Sequence, residues 1–102
     1  MEELTSKQRK TLRSLARQRE TNIIIGKQGI TEAVIKHIDT ELSRHELIKV
    51  RLPKTTEDRK EVAGQLARAT GASLIDLIGY VVVLYRPNEK LPVEKRIQLE
   101  KE

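Results

Sequence analysis

Three β-branched residues, Ile23, Ile24 and Ile25, run directly into Gly26-Lys27-Gln28-Gly29 and then into Thr31, a residue suited to cap a helix. That order leaves little choice of local structure. An apolar run without alternation reads as a strand buried on both faces, here residues 22–25. Two glycines three apart allow left-handed backbone and close approach of another chain. Thr31 then opens a helix that carries Val34, Ile35, Ile38 and Leu42 on one face and ends near Arg44 and His45. Strand, glycine loop and helix follow without a gap, so the helix must fold back onto a sheet.

The flanking segments supply that sheet. Upstream, Thr5-Ser6-Lys7-Gln8 has the form of a capping box and predicts a helix over about residues 6–18. Leu12, Leu15 and Ala16 give it a buried stripe, and Lys10, Arg13 and Arg17 form a positive flank, with Lys7 one turn earlier. Downstream, residues 47–52 alternate, Ile48, Val50 and Leu52 facing one way and Lys49 and Arg51 the other, until Pro53 ends the strand. A third helix is predicted over residues 57–70, capped by Thr55 or Thr56, burying Val62, Leu66 and Ala69 or Thr70, with Gly71 as its left-handed terminus. Gly64 inside it costs about 1 kcal/mol relative to alanine and suggests a close approach of helix to sheet. Residues 73–78 and 81–86 read as strands joined by a Gly79-Tyr80 type II′ hairpin.

The expected fold is therefore α/β, a compact α-β-α-β-α-β-β domain with a four-stranded mixed sheet. Two strand-helix-strand units imply parallel pairs, and the last hairpin is antiparallel. The first helix is placed opposite the other two, a placement that solvent-exposed Ile24 and Val82 on an open sheet face would contradict. Residues 1–87 are read as the domain and 88–102 as a charged, partly helical tail with only Val93, Ile97 and Leu99 to bury.

Charge sharpens the functional reading. Of the chain's net +5, residues 1–30 hold +4, from seven Lys and Arg against three Glu. A localised basic block suits a polyanionic partner. The glycine loop precedes a helix start whose free N–H groups and dipole favour phosphate, and Lys27 adds charge there. Gly26 to Thr31 fits neither a Walker loop nor a dinucleotide fingerprint, so nucleotide hydrolysis is not expected. His37 and His45 are too sparse for a metal site, and Asp39, Glu41 and Glu46 fit a solvated helix end as well as an acid pair. No catalytic residue, metal or cofactor is assigned. Cysteine is absent and no apolar run follows Met1, so a soluble, cytoplasmic protein without membrane attachment is expected, with a monomer as the default state.

Taken together, Leu4-Thr5-x-Lys7-Gln8, Leu12 through Ala16, Ile25-Gly26-x-x-Gly29-Ile30-Thr31-Glu32, His45 through Val50, Thr70-Gly71-Ala72 and Val83 through Pro87 resemble the CRM domain, named for chloroplast RNA splicing and ribosome maturation, and its stand-alone YhbY-like form. The resemblance implies a fold similar to the C-terminal domain of translation initiation factor 3. It also implies RNA bound through the loop Gly26, Lys27, Gln28 and Gly29 and the supporting charges Lys7, Lys10, Arg13 and Arg17. Single-copy members associate with large-subunit ribosomal RNA or its precursors, which makes structured RNA the expected partner, alongside ribosomal proteins. Only Tyr80 and Tyr85 are aromatic, so recognition by shape and backbone is expected over stacking. The alternative is a protein-binding adaptor for ribosomal or assembly factors in which the glycine loop is purely structural.

Overall fold

The computed structural model describes residues 3–99. Its elements run α1 (Ser6–Arg17), β1 (Ile23–Ile24), α2 (Glu32–His45), β2 (Leu47–Arg51), α3 (Arg59–Thr70), β3 (Ser73–Ile78) and β4 (Val81–Tyr85), followed by one turn of 3-10 helix at Val93–Lys95. Helix α1 starts with the expected capping box. Thr5 Oγ1 accepts from the Gln8 amide at 3.1 Å and Gln8 Oε1 accepts from the Thr5 amide at 3.0 Å, so two N–H groups that a helix start leaves unpaired are satisfied. Thr31 Oγ1 caps α2 by accepting from Val34 N at 3.2 Å. The cap of α3 is Asp58, not Thr55 or Thr56; its carboxylate accepts from Glu61 N at 3.1 Å. Thr56 is occupied by a turn, where its hydroxyl and its amide both donate to the Pro53 carbonyl.

The sheet order is β1-β2-β4-β3. Only β1 and β2 pair in parallel, while β4 is antiparallel to both of its neighbours. The second strand-helix-strand unit thus returns β3 in the direction of β2 but one strand away. Gly79, at φ +57, turns the chain tightly enough for β4 to fold back into the gap. Val82, Val83, Leu84 and Tyr85 are all buried there, as suits a strand covered on both faces.

Helices α2 and α3 cover one face, packing Ile38, Leu42, Ala63 and Leu66 on Ile48, Val50, Leu52, Val82 and Leu84. Helix α1 covers the other, with Leu12 and Ala16 on Leu47, Ile75, Val83 and Tyr85. The expected placement of α1 opposite the other two is therefore found, but its cover is partial. Ile24 is 71% exposed, against the expectation of a strand buried on both faces, whereas Val82 is buried on the α2 and α3 side. The reason is position: α1 sits over the end of the sheet that holds Leu47 and Tyr85, and Ile24 lies at the opposite end of an edge strand. Gly64 also departs from expectation, since the three atoms nearest a Cβ there all belong to the Arg68 side chain, the first at 3.1 Å, and none to the sheet. Buried positions on α3 are Ala63, Leu66, Ala67 and Thr70, with Val62 partly covered.

Glu46 is not on a solvated helix end. It is 1% exposed, holds φ +62 between α2 and β2, and offers its carboxylate to two backbone amides beyond the sheet, Asn88 N at 2.7 Å and Ile97 N at 2.6 Å. These bonds lay the tail against the domain, where Ile97 and Leu99 pack against the α1 cluster while Val93 stays 59% exposed. Arg86 adds a second clasp, donating to Asp39 on α2 and to the Thr70 carbonyl at 2.7 Å. No helix among the described residues is long and apolar enough to cross a membrane.

Burial and, secondarily, the Glu46 carboxylate push the Tyr85 phenol from 10.0 up to about 12. Between those values the unfolded chain has lost the phenol proton and the folded chain still holds it. Stability is therefore full below about pH 10 and falls as pH rises toward 12, by roughly 2–3 kcal/mol. Urea titrations at pH 9 and pH 11.5 should show a smaller alkaline loss for Tyr85→Phe than for the wild type. Equal losses would mean that Tyr85 ionises as freely folded as unfolded.

Candidate nucleic-acid interface

The loop begins where β1 leaves the sheet. Ile25 N still donates to Arg51 O at 2.9 Å, and after it Gly26 O accepts from Gly29 N at 3.0 Å to close a single turn. Gly29 sits at φ +72, in the left-handed region that residues with a Cβ enter at a cost of about 1–2 kcal/mol. Gly26 does not need positive φ. At both positions a Cβ would find no atom of the described residues within 4 Å beyond its immediate chain neighbours, so the backbone opens onto solvent. Gly26, Lys27 and Gln28 are exposed. The turn therefore presents bare backbone and one lysine immediately ahead of the α2 amino terminus, a geometry able to receive phosphate oxygens.

The basic block divides into two kinds of residue. Arg19 is structural: its guanidinium donates to Leu47 O at 2.7 Å, and Lys49 Nζ returns to Arg19 O at 3.0 Å. Arg9 is likewise tied, to Leu74 O at 3.0 Å. The side chains of Lys10, Arg13, Arg17 and Lys27 form no hydrogen bond or ion pair within the described residues. At 100° per residue, Lys10, Arg13 and Arg17 lie within about 60° of one another on α1 and on the opposite flank from Leu15. Lys7 is exposed in the first turn of the helix.

Loop and helix are placed in different parts of the fold. Helix α1 lies across one face of the sheet, and the loop projects from the end of β1 on its way to α2 on the other face. They are joined through Asn22, which pairs with Lys49 through its backbone amide and its side-chain oxygen, at 2.9 and 3.0 Å. About four extended residues, some 13 Å, separate the end of α1's connection from the turn. An elongated ligand is needed to reach both.

One exposed cation was absent from the expected set. Arg51 closes β2 beside Ile24, at the uncovered end of the sheet. The polar side of the Leu47-to-Leu52 alternation marked it as wet, but that signal could not say that it borders the loop.

A family model, the CRS1 / YhbY (CRM) domain, matches residues 4–86. The chain belongs to the CRM domain family. The match begins at Leu4 and ends at Arg86, so it includes α1, the loop and the whole sheet. Among relatives, a Haemophilus influenzae protein named RNA-binding protein is 35% identical over 95 residues, spanning 92% of this chain and 96% of that one. Bacillus subtilis YqeI, named a probable RNA-binding protein, is 36% identical over 97 residues, spanning 94% and 98% of the two chains. A hypothetical Staphylococcus aureus protein solved in solution superposes with a TM-score of 0.79 at 42% identity, covering 96% of this chain and all of that one. The two chains share one fold over nearly their whole length.

Proposed function

We propose that this CRM protein binds structured RNA of the large ribosomal subunit or its precursor during assembly, as a non-catalytic cytoplasmic factor. Residues 1–87 form the binding domain and 88–102 a charged tail, of which the described part, to residue 99, braces the domain. Phosphates seat on Gly26, Lys27, Gln28 and Gly29, and the same strand runs on to Lys7, Lys10, Arg13 and Arg17. The observation that carries the reading is the open turn: two glycines whose Cβ positions meet nothing among the described residues beyond their chain neighbours, next to a lysine side chain that nothing in the described chain engages. The relatives' names support RNA as the ligand class. The Haemophilus and Bacillus relatives carry that name although they consist almost wholly of this one domain, which supports RNA binding by the domain itself.

Ultraviolet crosslinking in cells, with sequencing of the attached RNA, tests it. Reads should concentrate on large-subunit ribosomal RNA or its precursors and diminish in a Lys27→Ala, Arg13→Ala variant. Diffuse reads indifferent to the substitutions would move the protein-adaptor reading to first place.

Gly26 allows a finer test. Its φ is not positive and a Cβ there is free of contacts, so Gly26→Ala should leave stability within about 0.5 kcal/mol of wild type. If RNA backbone approaches the turn, the added methyl should still weaken binding about tenfold in a filter-binding titration. Unchanged affinity would mean that the ligand stays away from the loop backbone. Gly29→Val is less clean, since its φ of +72 adds strain to any steric effect.

A further inference from the structure

The uncovered end of the sheet carries a feature the glycine loop does not account for. In register, Ile24 pairs with Arg51, Arg51 with Val81, and Val81 with Ile78, so these four side chains form one row across all four strands on the α1 face. The next row inward contains Val83, which α1 buries. Ile24 and Ile78, at the two ends of the outer row, are 71% and 54% exposed. Three strand spacings make the row about 14 Å wide. Large aliphatic side chains set in a row beside a basic loop mark an interaction surface, unlike the single exposed apolar residues common on any protein.

We infer that the Ile24-Arg51-Val81-Ile78 row is a docking floor for two or three unpaired nucleobases of the RNA whose backbone seats on the glycine loop. The inference rests on RNA being that loop's ligand and names a second subsite for it. Continuity is the first argument. Gly26 follows Ile24 by two residues, about 7 Å of extended chain, and Ile25 N is bonded to Arg51 O, so floor and turn are one rigid edge. A strand held at the turn has its next bases beside the floor.

Charge is the second argument. Arg51 sits inside the row with no hydrogen bond from its side chain and no carboxylate partner among the described residues. The nearest acidic strand residue, Asp76 one row inward, turns its carboxylate onto Leu77 N at 2.9 Å. An apolar protein surface laid over this row would bury an unpaired guanidinium, which is costly. A base offers the guanidinium plane a π-face, its edges accept hydrogen bonds, and its phosphate neutralises the charge. Four-stranded sheets in other RNA-binding folds take two or three bases on one face, usually on aromatic residues. Here the stacking surfaces are branched aliphatics and one guanidinium, so the floor is tolerant of sequence.

The test uses the full chain and two labelled probes: a hairpin RNA with a six-nucleotide unpaired loop, and the same hairpin with three loop nucleotides made abasic. Fluorescence anisotropy should show the wild type binding the intact hairpin about tenfold more tightly. Ile24→Ser with Ile78→Ser should abolish that preference, leave the abasic hairpin's affinity unchanged and leave the salt dependence unaltered. Arg51→Lys, which keeps charge and loses the plane, should reduce the preference in part. Circular dichroism verifies that the exposed substitutions leave the fold intact. Equal wild-type affinity for both hairpins, or equal weakening of both by the serine variant, overturns the floor. It is also overturned if the serine variant binds both RNAs normally and instead loses self-association in sedimentation, which would assign the row to a second copy of the chain. Lys27→Ala separates the two levels: weakened binding to both hairpins upholds the loop as an RNA site whatever the floor does, and no effect on either refutes the loop reading itself.

Discussion

Replacing Lys10, Arg13, Arg17 and Lys27 together by alanine is expected to cut affinity for a structured RNA by about 100-fold or more at 50 mM salt and to flatten its salt dependence. Each cation that neutralises a phosphate releases close to one condensed counterion, so losing four contacts should lower the slope of log K against log salt by about 3–4. Stability should hardly change. None of the four is engaged by the described chain, Lys10, Arg17 and Lys27 are exposed, and alanine is the best helix former at the three helical positions. A variant that kept the slope while losing affinity would place these side chains outside the phosphate contacts. Replacing Arg9 and Arg19 instead should reverse the pattern, lowering stability more than the salt slope, because both are bonded to strand carbonyls of their own domain.

Glu46→Ala is the substitution expected to damage the fold most for its size. The buried carboxylate accepts from Asn88 N and Ile97 N, and hydrogen bonds to a charged group contribute about 1.5–3 kcal/mol each. Alanine inherits the unfavourable φ of +62, so nothing offsets the loss. A decrease of about 3 kcal/mol is expected, which for a domain of this size lowers Tm by roughly 10–20 °C. Amide exchange at Asn88 and Ile97 should accelerate, and limited proteolysis should begin in the tail. Glu46→Gln keeps one acceptor oxygen and should fall between. A Tm within 2 °C of wild type with undisturbed tail protection would show that the tail is held by Ile97 and Leu99 packing and not by the carboxylate. RNA binding by the loop, at the other end of the sheet, should survive in Glu46→Gln.

Much of the candidate interface is legible in the sequence alone, because its signals are local. The capping box at Thr5 and Gln8, the cap at Thr31, the left-handed terminus at Gly71 and the glycine turn each depend on chemistry within about four residues. Asp58 shows where even local signals compete. Thr55, Thr56 and Asp58 can all cap, and the Pro53 turn that engages Thr56 hands the role to the aspartate. The hydrophobic periods also identify which helix faces are buried, although the α3 stripe includes, beside Leu66 and Thr70, Ala63 and Ala67, whose small side chains carry little weight in such a pattern.

The set of elements, their order, the glycine loop and the block of positive charge are all properties of local sequence. Which groups are left free is a property of the assembled fold. Arg19 and Arg17 are indistinguishable as letters, yet one is consumed by strand carbonyls and the other is not. Glu46 reads as a surface residue after a helix until Asn88 and Ile97, more than forty residues away, close over it. Ile24 reads as core until β4 inserts beside β2 and draws the cover of α1 toward Leu47 and Tyr85. Exposure and hydrogen-bond partnership depend on which distant strands meet, and that is settled by the packing of the whole sheet, which no window of neighbouring residues contains.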